Sequence, residues 1–293
     1  MLLAGCAPVP TGPTAAATAS FPPSSPALPA SGGTGSLPTT APPASSPEAT
    51  PAALHAGCPA TKVNDRASTG QRALYVATTN WSGYVARASR AFSCIQGRWT
   101  QPTLTCPVSG NASVAIWIGF DGETGSSRTT LEQIGTNTDC LDGRARTFAW
   151  FEILPRDRFE QEFPLEVNSG DRIAASIALV GRSYHLVIQN LTTGGVDDTL
   201  QRSPNGRRLT AEWVVEAPTV DCPSDCQVAS LAAFGTVSFS ADRAILAGQT
   251  GPIGDARWSR VRLDLESRTG LVKARPGSLT KDGAGFAVVW HHR

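Results

Sequence analysis

Histidine is nearly absent from this chain of 293 residues, which has only His55, His185, His291 and His292. A Ser–His–Asp or Cys–His centre would have to use His185, in "SYHLVIQN", and the sequence has no G-x-S-x-G elbow to go with it. A strand histidine with an ordinary polar partner is the simpler reading. The metalloprotease pattern H-E-x-x-H is also missing. "DGETG" lacks the alternating ligands of a calcium loop, so it is read as a hairpin turn. No metal and no cofactor are expected.

Lysine is scarce too: three residues, with arginine supplying the other cations and a net charge of +1. There is no basic stripe and no long run of one charge, which argues against nucleic acid as a partner. No apolar stretch approaches the roughly 18 residues that span a bilayer. No window carries a 3.6-residue apolar stripe longer than two turns, so helices are not expected.

The N-terminus reads differently from the rest. "LAGC" matches the box at which bacterial lipoprotein precursors are cut, leaving a lipidated cysteine, here Cys6. The charged and apolar regions of a full signal are missing before it, so the true start is expected upstream. Residues 1–6 are thus read as a signal remnant. Residues 7–56 are Pro, Ala, Ser, Thr and Gly with almost no charge. They cannot bury enough apolar surface to offset their ordering entropy, and are expected to form a disordered tether. Residues 57–78 are a connecting or pro-segment, and 79–293 the folded domain. The expected location is extracellular, secreted or lipid-anchored at a bacterial surface, with membrane attachment through Cys6.

Six further cysteines, Cys58, Cys94, Cys106, Cys140, Cys222 and Cys226, fit about three disulfides in an exported chain. Zinc would need C-x2-C pairs that are not there. Spacing favours Cys222–Cys226 and Cys94–Cys106, leaving Cys58–Cys140.

From Leu74 onward the chain is a series of short apolar or alternating runs separated by Gly, Pro, Asn and Asp. Among them are "LYVATTNWSGYVA", "SVAIWIGFDG", "TFAWFEILP", "DRIAASIALVG" and "AEWVVEAP". This is the pattern of an all-β, antiparallel two-sheet sandwich. Strand side chains alternate between faces. Trp117 and Asp121 then share one face, Trp150 and Glu152 another, and Glu212, Val214 and Glu216 a third. In each strand the opposite face is apolar and suits a core. Three fronts that combine tryptophan or valine with acid, and offer no Lys or Arg, point to a groove.

Carboxylates in a groove allow two reactions. A flanking pair could hydrolyse a glycosidic bond. Alternatively, one carboxylate activates water while an amide stabilises an oxyanion. A sugar-binding sandwich would use the same tryptophans without any cleavage.

The blocks "TNWSGYVA", "AIWIGFDG", "LEQIGT", "FAWFEILP", "VIQNLTTG", "AEWVVE" and "AAFGTVSF" come in the order found in the eqolisins, and over this domain the chain resembles that family of glutamic peptidases. The resemblance implies a concanavalin-like sandwich of two antiparallel sheets, one curved around a groove. It also implies an acid endopeptidase that acts on polypeptides, expected to be a monomer. The catalytic dyad would be Gln133 and Glu216, with Trp117, Asp121, Trp150, Glu152 and Glu212 as groove residues in contact with substrate. Two positions depart from the family pattern: Glu132 stands where a leucine is usual, and Asn137 where an aspartate is usual, with Asp139 nearby. Like charges at Glu212, Asp121 and Glu152 would raise the Glu216 pKa and favour acid activity.

Overall fold

The computed structural model describes residues 58–59, 61–63, 73–123, 130–157, 159–220 and 227–293. Cys6, the Pro/Ala-rich spacer and the Cys222–Cys226 pair lie outside these residues. Among the described residues there are nineteen strands and no helix. The first ten are β1 (Lys62–Val63), β2 (Leu74–Thr78), β3 (Trp81–Arg87), β4 (Phe92–Thr100), β5 (Asn111–Asp121), β6 (Leu131–Leu141), β7 (Arg144–Leu154), β8 (Gln161–Phe163), β9 (Arg172–Val180) and β10 (Ser183–Asn190). Then follow β11 (Val196–Gln201), β12 (Thr210–Glu216), β13 (Thr219–Val220), β14 (Gln227–Val228), β15 (Thr236–Leu246), β16 (Gln249–Pro252), β17 (Ser259–Glu266), β18 (Val272–Pro276) and β19 (Phe286–Trp290).

Pairing gives two antiparallel layers. One runs β8-β7-β6-β5-β12-β3-β17. The other runs β11-β10-β9-β4-β15. β18 and β19 connect β17 to β15 along one side, so the sandwich is nearly closed. Two parallel pairings, β1 with β16 and β2 with β17, are exceptions to the antiparallel rule.

The sequence alternation explains the layers. Val114, Ile116, Ile118 and Phe120 of β5 point between them, with Trp213 and Val215 of β12 and Ile134 of β6. They belong to the same buried cluster as Ile95, Ile173, Ile177, Leu186 and Ile188 of the other layer. Buried polar groups near Trp99 are fully paired. Its indole donates to Thr136 Oγ1 at 3.1 Å, Thr136 donates to Gln101 Oε1 at 2.7 Å, and Gln101 donates to Thr138 Oγ1 at 3.0 Å. This satisfies groups that would otherwise cost 1–3 kcal/mol each in roughly typical cases.

The disulfides correct the expectation from spacing. Cys58 bonds Cys94 and Cys106 bonds Cys140, with Cα separations of 5.6 and 5.3 Å. Cys94 lies near the start of β4, which then runs extended to Thr100. At roughly 3.3 Å per residue that carries Cys106 out of bridging range of Cys94. Cys106 instead meets the far end of β6, and Cys94 meets the segment before β1.

Candidate active site

The outer face of β5 is as buried as its inner face. A second apolar cluster covers it, made of Ala115, Trp117, Leu131, Trp150 and Val214 with Trp81, Phe148 and Leu154 packed alongside. Of these, Trp81, Ala115, Leu131, Phe148, Trp150 and Leu154 line a groove of about 580 Å³, with Trp117 and Val214 buried beneath. The strand fronts therefore do not form a solvated outer surface.

A glycine lets the floor form. Trp117 of β5 pairs with Gly135 of β6, and Gly135 with Trp150 of β7. A Cβ at Gly135 would lie 2.2 Å from Ile116 O and 2.6 Å from Trp117 Cβ. Gly135 thus allows β6 to approach β5 closely at Ile116 and Trp117, which explains the glycine in "LEQIGT".

Two polar pairs rise from this floor. Gly119, Gln133 and Glu152 sit on one rung across β5, β6 and β7, while Glu216, Ala115 and Asn137 sit on another across β12, β5 and β6. Gln133 and Glu216 are therefore diagonal to each other across Trp117, and both line the groove. Glu216 is gripped at both oxygens: Asn80 Nδ2 donates to Oε1 at 3.0 Å and Trp117 Nε1 donates to Oε2 at 2.8 Å. Gln133 Nε2 donates to Glu152 Oε2 at 2.7 Å. Gln133 Oε1 is buried with no protein partner among the described residues, which leaves an acceptor free in the groove.

Burial is the main electrostatic influence here. It raises the Glu216 carboxyl to about 7, against the pull of the Trp117 and Asn80 donors. Glu152 is also raised to about 7, first by burial, then by the charge of Glu160, with Glu216 adding to it. The direction matches the expectation from sequence, but the leading cause differs, since desolvation outweighs like-charge repulsion. Among the residues that line the groove there is no Lys or Arg.

Of the seven groove residues expected from sequence, four line the groove, Gln133, Glu216, Trp150 and Glu152, and Trp117 lies fully buried beneath them with its indole donating to Glu216. Asp121 and Glu212 do not line the groove. Asp121 closes β5 with a φ of 65°, which breaks the strand alternation that placed it beside Trp117. Its carboxylate accepts the backbone N–H groups of Arg207, Arg208 and Leu209 at 2.8, 2.7 and 3.0 Å. Asp121 thus anchors the loop that leads into β12. Glu212 is fully buried, accepting from Thr210 Oγ1 at 3.0 Å and from the Glu123 N–H at 3.2 Å.

The departures from the eqolisin pattern take definite places. Asn137 Nδ2 and Ser113 Oγ both donate to Asp139 Oδ1, at 2.9 and 2.8 Å, and all three line the groove beyond Glu216. Glu132 faces inward, where Ser203 Oγ donates to its Oε1 at 2.5 Å. His185 pairs with Asp198 at 2.8 Å on β10 and β11, outside the groove.

Sequence reading did not single out Asn80, Trp81, Phe159 and Glu160, which also line the groove. The first two stand in "TNWSGYVA", an Asn-Trp pair at a strand start that could have flagged them. Phe159 and Glu160 lie between β7 and β8, where no periodicity marks which way a side chain points.

The peptidase A4 family pattern matches residues 79–274. Among solved structures, scytalido-glutamic peptidase with a peptide-based transition-state analogue has a TM-score of 0.61 at 21% identity, covering 73% of this chain and 98% of that one. SCP-B, a member of the eqolisin family of peptidases, gives 0.59 at 20%, with the same coverage. Aspergilloglutamic peptidase from Aspergillus niger gives 0.52 at 26%, covering 61% of this chain and 99% of that one. No curated protein matches.

Proposed function

Because the chain belongs to the peptidase A4 family, the glutamic peptidases, and is a peptide-bond hydrolase, we propose that Gln133 and Glu216 are its catalytic dyad and that it is an acid endopeptidase. The observation that carries this reading is the groove itself. A carboxyl and a carboxamide stand diagonally on one apolar floor, each already held by a partner.

In this reading a water sits between the two. Gln133 Oε1 accepts one of its hydrogens, and Glu216 takes a proton as the water attacks the scissile carbonyl. Glu216 then returns that proton to the leaving amine. An amide nitrogen carries two hydrogens. One Gln133 N–H is committed to Glu152, and the other is free to stabilise the tetrahedral oxyanion. A single donor of this kind is worth about 3 to 4 kcal/mol of barrier. Glu152 fixes which end of the amide faces the water.

Glu216 and Glu152 influence each other's titration, so they are treated as a coupled set that retains one proton in the working form. Both carboxyls are raised by burial to about 7 and titrate as a pair: the first proton leaves at lower pH and frees Glu216 to act as base, and the second leaves as pH rises through neutrality. Activity then peaks on the acid side and falls towards pH 7. Trp150 and Glu152 bound the substrate channel and Trp117 holds Glu216 from beneath it, whereas Asp121 and Glu212 act on the loop and strand behind it.

Export fits the same reading. The two disulfides belong to an oxidising compartment, and the "LAGC" box offers Cys6 for lipid attachment. The deciding experiment is incubation with an acid-denatured protein at about pH 4. Appearance of new peptide N-termini supports the proposal. Release of reducing sugar from a glycan, or glycan binding with no proteolysis, would favour the carbohydrate reading instead.

A further inference from the structure

We propose that a second cavity, bounded by Arg182, Arg202 and Arg208, is a binding site for a phosphoryl-type oxyanion. It has a volume of about 610 Å³, and Tyr184, Ser203 and Gly206 complete its polar wall. No residue lines both this cavity and the catalytic groove, and no Asp or Glu lines this one. The two concavities have opposite character: carboxylates without cations in one, guanidinium groups without carboxylates in the other.

Arg208 is held in place before any ligand arrives. Its backbone has a φ of 52°, a region costly for a side chain with a Cβ. That conformation persists because Asp121 accepts the N–H groups of Arg207, Arg208 and Leu209. The guanidinium is fixed as well. Nε donates to Phe92 O at 3.0 Å, and Nη1 donates to Tyr184 Oη at 2.9 Å and to Gly206 O at 3.2 Å. Nη2 has no protein partner among the described residues. A Cβ at Gly206 would meet Tyr184 Oη at 2.2 Å and Glu132 Oε1 at 2.8 Å, so only glycine lets the loop lie this close to the floor.

Arg182 and Arg202 are exposed. Neither makes a hydrogen bond or ion pair among the described residues. By contrast, Arg87, Arg146, Arg156, Arg257, Arg262 and Arg275 are each paired with a carboxylate. Three cations around one concavity repel one another, and a bound anion relieves that repulsion. Guanidinium forks match oxyanions bidentately. Three of them, Arg182 from the β9–β10 turn and Arg202 and Arg208 from the β11–β12 connection, suit a tetrahedral group with several oxygens better than a planar carboxylate.

Two acids, Glu132 and Asp121, lie behind this wall and do not line the cavity. Glu132 is fully buried, its Oε1 accepts a hydrogen bond from the Ser203 hydroxyl, and its Oε2 has no partner among the described residues. Burial lifts its carboxyl to about 7, with the Asp121 charge adding and Arg208 opposing. Below neutrality Glu132 therefore carries little charge, and Asp121 spends its oxygens on the backbone N–H groups of Arg207, Arg208 and Leu209, so neither acid pairs with a guanidinium of the cavity.

The test is calorimetric titration of the full chain with inorganic phosphate, at low salt and about pH 5, where the ion carries one negative charge. Saturable binding with a dissociation constant of about 1 mM or tighter is expected. In an Arg182→Ala/Arg202→Ala variant it should weaken by at least about tenfold, with peptidase activity and melting temperature unchanged. Co-sedimentation with phosphatidylglycerol vesicles, against phosphatidylcholine controls, identifies the source. Retention that free phosphate competes away assigns a lipid headgroup, and phosphate binding without retention assigns a soluble ion. No saturable phosphate binding, or an affinity unchanged in the double variant, overturns the proposal.

Discussion

Glu216 shows how much of a site depends on single atoms. Its two oxygens take one donor each, and the surrounding apolar floor supplies the desolvation. Two substitutions should move the alkaline limb of the activity profile in opposite directions. Trp117→Phe removes a donor to the charged form, so the proton is held more tightly and the limb shifts upward. Glu160→Gln removes a negative charge that raises both Glu152 and Glu216, so the limb shifts downward. Each shift should be about 0.5 to 1 pH unit, read from kcat against pH. Shifts in the same direction, or none, would contradict this assignment of causes. Gln133→Ala should lower kcat by about 10² to 10³ with little change in melting temperature.

At this scale the sequence was legible wherever alternation ran unbroken. Trp150 with Glu152, and Glu216 with Val214, could be placed on outward faces because β7 and β12 keep a strict period of two, whereas Gln133 was placed by the resemblance of "LEQIGT" to the eqolisin pattern. Asp121 and Glu212 were misplaced for different reasons. A left-handed φ turns Asp121 away from the face that counting assigns to it. Glu212 does face outward, but the Glu123 backbone and Thr210 close over it. Neither effect has a signature in residue pattern.

At the scale of elements, β5 and β6 carry the site because Gly135 lets them pair under the Trp117 side chain. Gly135→Ala pushes a methyl group into Ile116 O and Trp117 Cβ. Both are backbone-anchored and cannot move aside, so the strands must separate. The expected loss is at least about 3 kcal/mol in denaturant unfolding, together with loss of activity. A variant that keeps wild-type stability would show that the pairing is looser than this geometry. Strand existence was readable from runs such as "AIWIGFDG", and the sandwich followed from them. Disulfide partners were not, because cysteines close in sequence are driven apart when the chain between them is extended. Cys94 and Cys106 illustrate the point.

For the whole molecule, buried carboxyls set the response to pH. Glu132, Glu152 and Glu216 are each raised to about 7, and burial lifts Glu212 and Asp242 well above the usual carboxyl range. A group raised in the folded state binds its proton more tightly there than in the unfolded chain. Its contribution is complete below the unfolded value of roughly 4.3 and is lost as pH rises towards the folded value. Glu162, lowered by Arg146, and Asp282, lowered by Thr280, act in the opposite sense, with stability lost as pH falls through their folded values. The melting temperature should therefore be greatest near pH 4 to 5 and fall steadily to about pH 7 and beyond. Glu132→Leu should flatten that fall, since it removes one buried acid and supplies the residue usual in the eqolisin pattern. A melting temperature that rises from pH 5 to 8 would contradict the sign. The fold can therefore be read from local pattern, whereas the charge state of the interior depends on which acids the sandwich closes over.

The most direct test of the central claim is kcat/KM on one unfolded protein substrate, measured for the wild type and Glu216→Gln from about pH 3 to about pH 8. The wild type should be most active on the acid side and fall as pH passes about 7, where the Glu216–Glu152 pair gives up its remaining proton. The folded variant should be at least about 10³-fold slower throughout. A variant within about tenfold of wild type at any pH would contradict the account.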